Sequence, residues 1–405
     1  MHLGAGAVRT QRHALGLICA LSILGCSLTD ERVGPPNSGP EQQPETTAPV
    51  SSGTLVDARS GHRLTPIRFS DLRGWRDDDV GAVGPALTRS CQRQRASDGL
   101  LLTAAEWRAL CQRVLATAPS SLRTLFERDF TPVSIGPRER GLLTAYFEPV
   151  LEARRRPDQV FRYPIYRKPP EVSRRGDAYG AISGGRLRPF YSRAQIDAGA
   201  LRGRGLEIAW LADPVDLFFL HIQGSGRLRL GNGELIRVGF AAKNGHAYKS
   251  VGRAMIQRGW ARSGGASAAA IKAFYRADPR RGRELLAVNK SYIFFREIRN
   301  LDARAGPVGA QGVQLTNGRS IAVDRRFIEL GLPVWVDAPN TPSGPRARLT
   351  IAQDTGSAIK GSQRADFYMG SGAEAGRIAG RFQTPVRLVT LLPNSVLEEI
   401  RRGRR

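Results

Sequence analysis

The chain has 405 residues, 41% of them hydrophobic, and a formal net charge of +25. That length allows two domains and a substantial core, and that charge favours polyanionic surroundings: nucleic acid, anionic headgroups or an acidic cell-wall polymer. Arginine is spread along the whole chain with no zinc finger or aromatic RNA-binding signature, which argues against a base-reading module and a nucleic-acid partner.

Arg9, Arg12 and His13 precede an apolar run over residues 14–24 that ends at Gly25-Cys26. The run is short for a membrane span and fits a signal peptide over 1–26. The residues before Cys26 resemble a bacterial lipobox, in which that cysteine is lipidated, with Leu24 in place of the usual small residue. Simple cleavage nearby is the alternative, and both routes export the chain. Ser27 rather than Asp after the cysteine, by resemblance to sorted lipoproteins, implies the outer membrane. Residues 27–60 follow as a disordered tether rich in Pro, Ser, Thr, Gln and Glu, with folded structure expected from near Leu64.

Cys91 and Cys111 are the cysteines left after Cys26, and in an exported chain the pair is expected to be a disulfide. Of the histidines after the leader, His62, His221 and His246, none has HExxH spacing, and the cysteines form no CxxC; no metal and no cofactor is expected. Thr103 and Glu106 form a capping box that starts a helix over 103–118 with Cys111 on its apolar face. A strand is expected over 141–150, with Thr144 and Tyr146 on its polar face, and a domain boundary near Val150.

Ser192 and Gln195 cap a short helix over 192–201. The apolar run from Leu217 reads as a buried strand entering Gln223-Gly224-Ser225-Gly226, and Gly231-Asn232-Gly233 turns it into a hairpin. Gln223 and Ser225 on a glycine-lined loop suit hydrogen bonds to sugar hydroxyls, with Gly224 letting a ligand lie close. A helix over 250–258, a helical pair over 267–288 and a strand over 289–297 come next, with Tyr248 and Tyr292 as possible stacking surfaces and Lys290 at a cationic strand end. From Ala310 short strands alternate with glycine turns, which suggests a barrel, and the tail after Glu399 reads as frayed surface. The strand beginning at Leu349 delivers Asp354 into a Thr-Gly turn; Lys360 follows, and a second acid, Asp366, precedes Phe367 and Tyr368. Two carboxylates on such backbone are candidates for acid and base chemistry.

Six segments, LLTAYFEP, FFLHIQGSG, YKSVG, NKSYIFFRE, RSIAVD and the stretch from Leu349 to Gly372, occur in the order that resembles the membrane-bound lytic murein transglycosylase A family. The likeness covers the chain from about Leu64 to Pro393. It implies a mainly β fold with some helices: a double-psi β-barrel from 61–149 and 298–405, a smaller β-rich domain inserted at 150–297, and a groove between them for glycan. It further implies cleavage of the MurNAc–GlcNAc bond of peptidoglycan without water, with Asp366 as single acid and base and Asp354 and Asp324 in support. Thr144, Tyr146, Gln223, Gly224, Ser225, Tyr248, Lys290 and Lys360 are its expected substrate-binding residues. A monomer on the inner face of the outer membrane, held by a lipid anchor beside wall-synthesis proteins, completes the expectation. Gln314 and Glu329 stand where the family pattern has proline. Two other readings remain: an aspartic-type hydrolase, from Asp354-Thr355-Gly356-Ser357, and a wall-binding lipoprotein that does not cut.

Overall fold

A computed structural model describes residues 53–93, 97–136, 141–341 and 346–404; the leader with Cys26 and most of the expected tether lie outside them. Order begins earlier than expected. Leu55–Asp57 is a strand paired with His62–Pro66, inside the span assigned to the tether. The cause is Asp57, fully buried, whose carboxylate accepts from the backbone and hydroxyl of Ser60 and so closes the turn.

Among the described residues, nine strands make the largest sheet. Their order is Leu55–Asp57, His62–Pro66, Phe130–Ile135, Gln383–Pro393, Pro333–Ala338, Arg346–Asp354, Ser320–Val323, Arg364–Ser371 and Gly141–Glu148. The last of these also pairs with the start of Gln383–Pro393, Gln383 standing opposite Thr144. A second sheet of six strands runs Ile293–Ile298, Leu235–Lys243, Ser225–Arg229, Val150–Arg154, Glu207–Leu211 and Tyr163–Tyr166, and a small third one spans Val172–Arg175, Ala178–Ser183 and Arg186–Arg188. The chain leaves the first sheet at Glu148 and enters the second at Val150, with Pro149 between them, and the second sheet ends at Ile298. The fold is therefore mixed and sheet-rich.

The first sheet encloses the largest apolar core, centred on Trp107, Phe126, Trp335, Leu349, Ile351 and Phe367. Helix Ala104–Leu115 packs Trp107 and Leu110 into it, and its capping box is made by Thr103 and Glu106. Cys111, on the same face, is bonded to Cys91 with the Cα atoms 5.1 Å apart. That cross-link joins helices Gly84–Gln92 and Ala104–Leu115.

Two expectations are corrected here. Residues 214–223 form a helix, Pro214–Gln223, and not a strand. Asp213 accepts from the backbone of Val215 and Asp216, Pro214 sits in the first turn, and Gly224 ends the helix at φ +74°. Its apolar residues face two packing partners, so the sequence shows no period to separate helix from strand. The tail after Glu399 departs from a frayed surface at its start: helix Asn394–Arg401 runs past that residue and buries Ile400, while residues 401–404 are exposed. The turn at 231–233 does connect a hairpin, Ser225–Arg229 with Leu235–Lys243, and Ser250, Ser267 and Asp278 cap the helices that follow them.

Candidate active site

Strand pairing alone brings the candidate residues together. Asp366 stands opposite Thr144 on one side and Ala322 on the other, and Ala322 in turn stands opposite Asp354. Residues level with one another across a sheet project from the same face, and so do residues two apart along a strand. Thr144, Tyr146, Asp354, Asp366 and Tyr368 therefore share a face, while Phe367 projects the other way into the main core. Of the two aromatic residues after Asp366, only Tyr368 is available to the acid's surroundings; its ring lies 5.4 Å from that of Tyr146.

The hydroxyl of Thr144 donates to Asp366 Oδ1 and accepts from Arg364 Nη2 at 2.7 Å. Arginine can only donate, so the threonine proton is committed to the carboxylate. Asp366 Oδ2 has no hydrogen-bond partner among the described residues and is not sealed from solvent. Burial raises the Asp366 carboxyl to about 6; Thr144 and Arg364 pull against it, and the charge of Asp354 adds to the rise. One oxygen is fixed and the other is free.

Asp354 is held differently. Its Oδ1 accepts from the backbone N–H of Ala310 and of Thr355, both at 2.9 Å, and its Oδ2 from Tyr146 Oη at 2.9 Å. Burial raises this carboxyl too, against those three donors. The strand Ser320–Val323 runs between the two acid strands, which separates their backbones by about 10 Å. No hydrogen bond joins the two carboxylates among the described residues, as a proton-sharing aspartic pair requires.

Asp324 is nearly fully buried and binds Arg326 Nη2 at 2.6 Å and the Gly361 N–H at 2.8 Å. Burial alone would raise it, but hydrogen bonds from the Arg326 side chain and from the backbone of Gly361 and Arg326 prevail and hold it at about 2. It therefore ties down the loop between Asp354 and Asp366. A folded-state value below the ordinary one stabilises the fold above the ordinary carboxylate range, and that contribution is lost as pH falls toward about 2. At neutral pH Asp324→Asn is expected to cost about 1–3 kcal/mol, read as a lower urea midpoint; an unchanged midpoint would show that the loop is held by other means.

The remaining sequence candidates fall into two groups. Gln223 lies beside the strand that carries Thr144 and Tyr146: its Oε1 accepts the backbone N–H of Phe147 at 3.0 Å. Gly224 is the left-handed helix end, and Ser225 is buried at the start of the hairpin, opposite Gly239. Tyr248 and Lys290 lie on loops of the second sheet that Asn289 connects through the Lys249 N–H, and Lys360 is exposed on the loop anchored by Asp324. No hydrogen bond joins these three side chains to the acids among the described residues. Tyr292 is buried against His221, whose ring nitrogens lack hydrogen-bond partners and whose burial pushes its pKa well down, leaving a neutral core residue. Among the described residues no three His, Cys, Asp or Glu side chains gather as metal ligands would. Gln314 and Glu329 make hydrogen bonds proline could not: the amide of Gln314 donates to Asp302 and Gly306 carbonyls, and Glu329 accepts from the Leu101 and Leu102 N–H groups.

Sequence reasoning missed Arg364 and an ion cluster at the junction of the two sheets. Glu148, fully buried, accepts from Arg227 Nε at 2.7 Å and Ser371 Oγ at 2.7 Å, with Arg237 Nε 3.5 Å from its other oxygen. Ser371 Oγ lies 3.2 Å from Tyr368 Oη. The chain of contacts thus runs from the second sheet to the face that carries Asp366. The Pro149 step directly after Glu148 and the arginines of the 225–243 hairpin were the only sequence signals for it.

Known proteins resemble this chain in sequence and in fold. Residues 142–296 match the model of the MltA specific insert domain, and residues 319–392 match that of the 3D domain. Membrane-bound lytic murein transglycosylase A of Vibrio cholerae is 36% identical over 251 residues, 60% of this chain and 62% of that protein; the aligned part is thus under two thirds of the relative's length. A crystal structure of membrane-bound lytic murein transglycosylase from Agrobacterium tumefaciens is 38% identical, covered over 99% of its length by 83% of this chain, with a TM-score of 0.75. A structure of Escherichia coli MltA with bound chitohexaose is 26% identical and 99% covered by 87% of this chain, with a TM-score of 0.60.

Proposed function

The chain belongs to the membrane-bound lytic murein transglycosylase A family, and on that premise we propose that it cleaves the β-1,4 MurNAc–GlcNAc bond of peptidoglycan without water. The observation that carries this reading is Asp366, with a value near 6, one oxygen fixed by Thr144 and the other free. Protonated Asp366 gives its proton to the glycosidic oxygen as that bond breaks. The resulting carboxylate takes the proton of the MurNAc C6 hydroxyl as its oxygen bonds to C1, closing a 1,6-anhydro ring. Proton count is conserved and the acid is regenerated. Ordinary glycosidases pair two carboxylates to manage water or a covalent intermediate; here the substrate supplies its own nucleophile, and one acid suffices.

Asp354 and Asp324 act as supports: the first orients Tyr146 and the 310 loop, the second the 355–361 loop. Thr144 and Tyr146 line the acid's face, and Gln223, Gly224 and Ser225 bring the second sheet to it, so glycan lies between 61–149 with 298–405 and the inserted 150–297. The return of Gly141–Glu148 to Gln383–Pro393 supports reading the first sheet as the double-psi barrel. Chitohexaose in the E. coli relative supports a glycan substrate. The leader and Cys26 support an exported lipoprotein facing the wall.

Digestion of purified peptidoglycan, with products read by mass spectrometry, tests the reading. Anhydromuropeptides are expected. Reducing-end products would replace it with hydrolysis, cut peptides with a peptidase, and no product with wall binding alone. Thr144→Val removes the donor that favours the carboxylate, so the alkaline limb of the pH–rate profile should move above about 6. A limb that stays or moves down would remove Thr144 from the acid's control.

A further inference from the structure

Helices Val251–Gln257, Ala268–Ala277 and Pro279–Ala287 form a layer whose apolar side, Val251, Met255, Ile271 and Leu285, packs with Phe218 of helix Pro214–Gln223. Its outer side has another chemistry. Residues 251–288 hold eight basic side chains against two acidic ones, and of the eight, Lys272 and Arg276 pair with Asp213 and Asp216 before helix Pro214–Gln223 and in its first turn. The two acids are already engaged: Asp278 caps the third helix by accepting from the Arg280 and Arg281 N–H groups, and Glu284 lies 4.0 Å from Arg280. Arg258 and Arg262 are exposed and have no carboxylate partner among the described residues.

At the centre of this face is Trp260, half-buried and stacked on Phe274 with ring centroids 5.1 Å apart. The Arg258 guanidinium lies 4.9 Å from the Trp260 ring centroid and that of Arg281 5.7 Å. A partly exposed indole flanked by cations suits a membrane interface, where the ring sits at headgroup depth and the cations meet phosphates. Sugar C–H faces also stack on an indole, so peptidoglycan sacculi are a second probe of this face. The leader, ending in a candidate lipidation site, brings the chain to a membrane by a separate route.

We propose that the face formed by Trp260, Arg258, Arg262, Arg280 and Arg281 docks on anionic phospholipid headgroups. This surface is apart from the acid site, and the proposal does not depend on the glycan-cleaving reading. The test uses the full chain with Cys26→Ser, so that no acyl anchor contributes, and vesicles of phosphatidylcholine with or without phosphatidylglycerol. Arg9 and Arg12 of the leader also favour the anionic vesicles, so the basic face is read from the difference between the parent and its charge variants on the same vesicles. Binding is expected only with phosphatidylglycerol, weakening as salt rises, and Arg258→Glu with Arg281→Glu should weaken it about tenfold or more. Arg258→Lys with Arg281→Lys should keep it, which separates charge from misfolding, and circular dichroism should match across all variants. Equal binding to both vesicle types overturns the proposal, as does a glutamate variant that binds like the parent. Loss of binding to peptidoglycan sacculi with lipid binding intact would assign the face to the wall polymer and overturn it equally.

Discussion

Asp366→Asn is expected to lower anhydromuropeptide release by about 10³- to 10⁴-fold while leaving the fold intact, because one positioned acid–base group contributes on the order of 10²–10⁴ and in the proposed reaction it serves both halves. Asn keeps the volume and can still accept from Thr144, so the loss isolates proton transfer. The same substitution should raise the thermal midpoint at neutral pH. The sign follows from linkage: a carboxyl raised in the folded state from its ordinary value of 3.8 to about 6 stabilises the fold fully below 3.8 and loses that contribution as pH passes about 6. Asn never ionises and keeps it. For the parent enzyme, the rate should fall about tenfold per pH unit above about 6, as the protonated acid is depleted. Product release within tenfold of the parent would remove Asp366 from its role, and an unchanged thermal midpoint at pH 7 would mean its surroundings do not penalise the charge.

Glu148→Ala should be the most destabilising single change outside the apolar core, by about 3–5 kcal/mol, because it leaves buried cations without their counter-charge. Arg227 and Arg237 both lean on that carboxylate from the second sheet, and Ser371 does so from the first. The arginines would keep the backbone carbonyls of the 302–306 loop and, for Arg227, the Ser371 hydroxyl, none of which carries a counter-charge. Glu148→Gln should cost less, since it retains an acceptor of the same shape. Chemical denaturation measures both; a loss under about 1 kcal/mol for the alanine variant would mean that the two sheets are joined by other contacts.

Local signals in the sequence were reliable where one residue type answers one backbone need. Thr103 with Glu106, Ser250, Ser267 and the Asp278-Pro279 pair each start a helix where expected, and Gly231-Asn232-Gly233 turns a hairpin. The mistaken strand at Pro214–Gln223 arose where packing on two sides erased the apolar period, although Asp213-Pro214 was the same start signal seen at Asp278-Pro279. The acids themselves were legible as residues, and their unequal roles were implied by the family resemblance alone, because the hydrogen bonds that differ between them come largely from distant parts of the chain. Asp354 has hydrogen-bond donors on both oxygens, and Asp366 has one on a single oxygen. Arg364, which orients Thr144, acts across 220 residues of chain, and no local pattern marks such a contact.

The threonine that holds the acid is separated from it by 222 positions, and the tyrosine on Asp354 by 208. The strand closing the far side of Thr144 begins only at Gln383. Distant partners of this kind are found slowly, since the loops between them must close before any pairing is rewarded. A nascent chain therefore carries Thr144 and Tyr146, respectively 222 and 208 residues before their aspartates, and the acid's surroundings are complete only once the strand from Gln383 has followed. For a protein whose proposed substrate encloses the cell that makes it, the topology acts as a timer: the cutting edge is the last thing to be assembled.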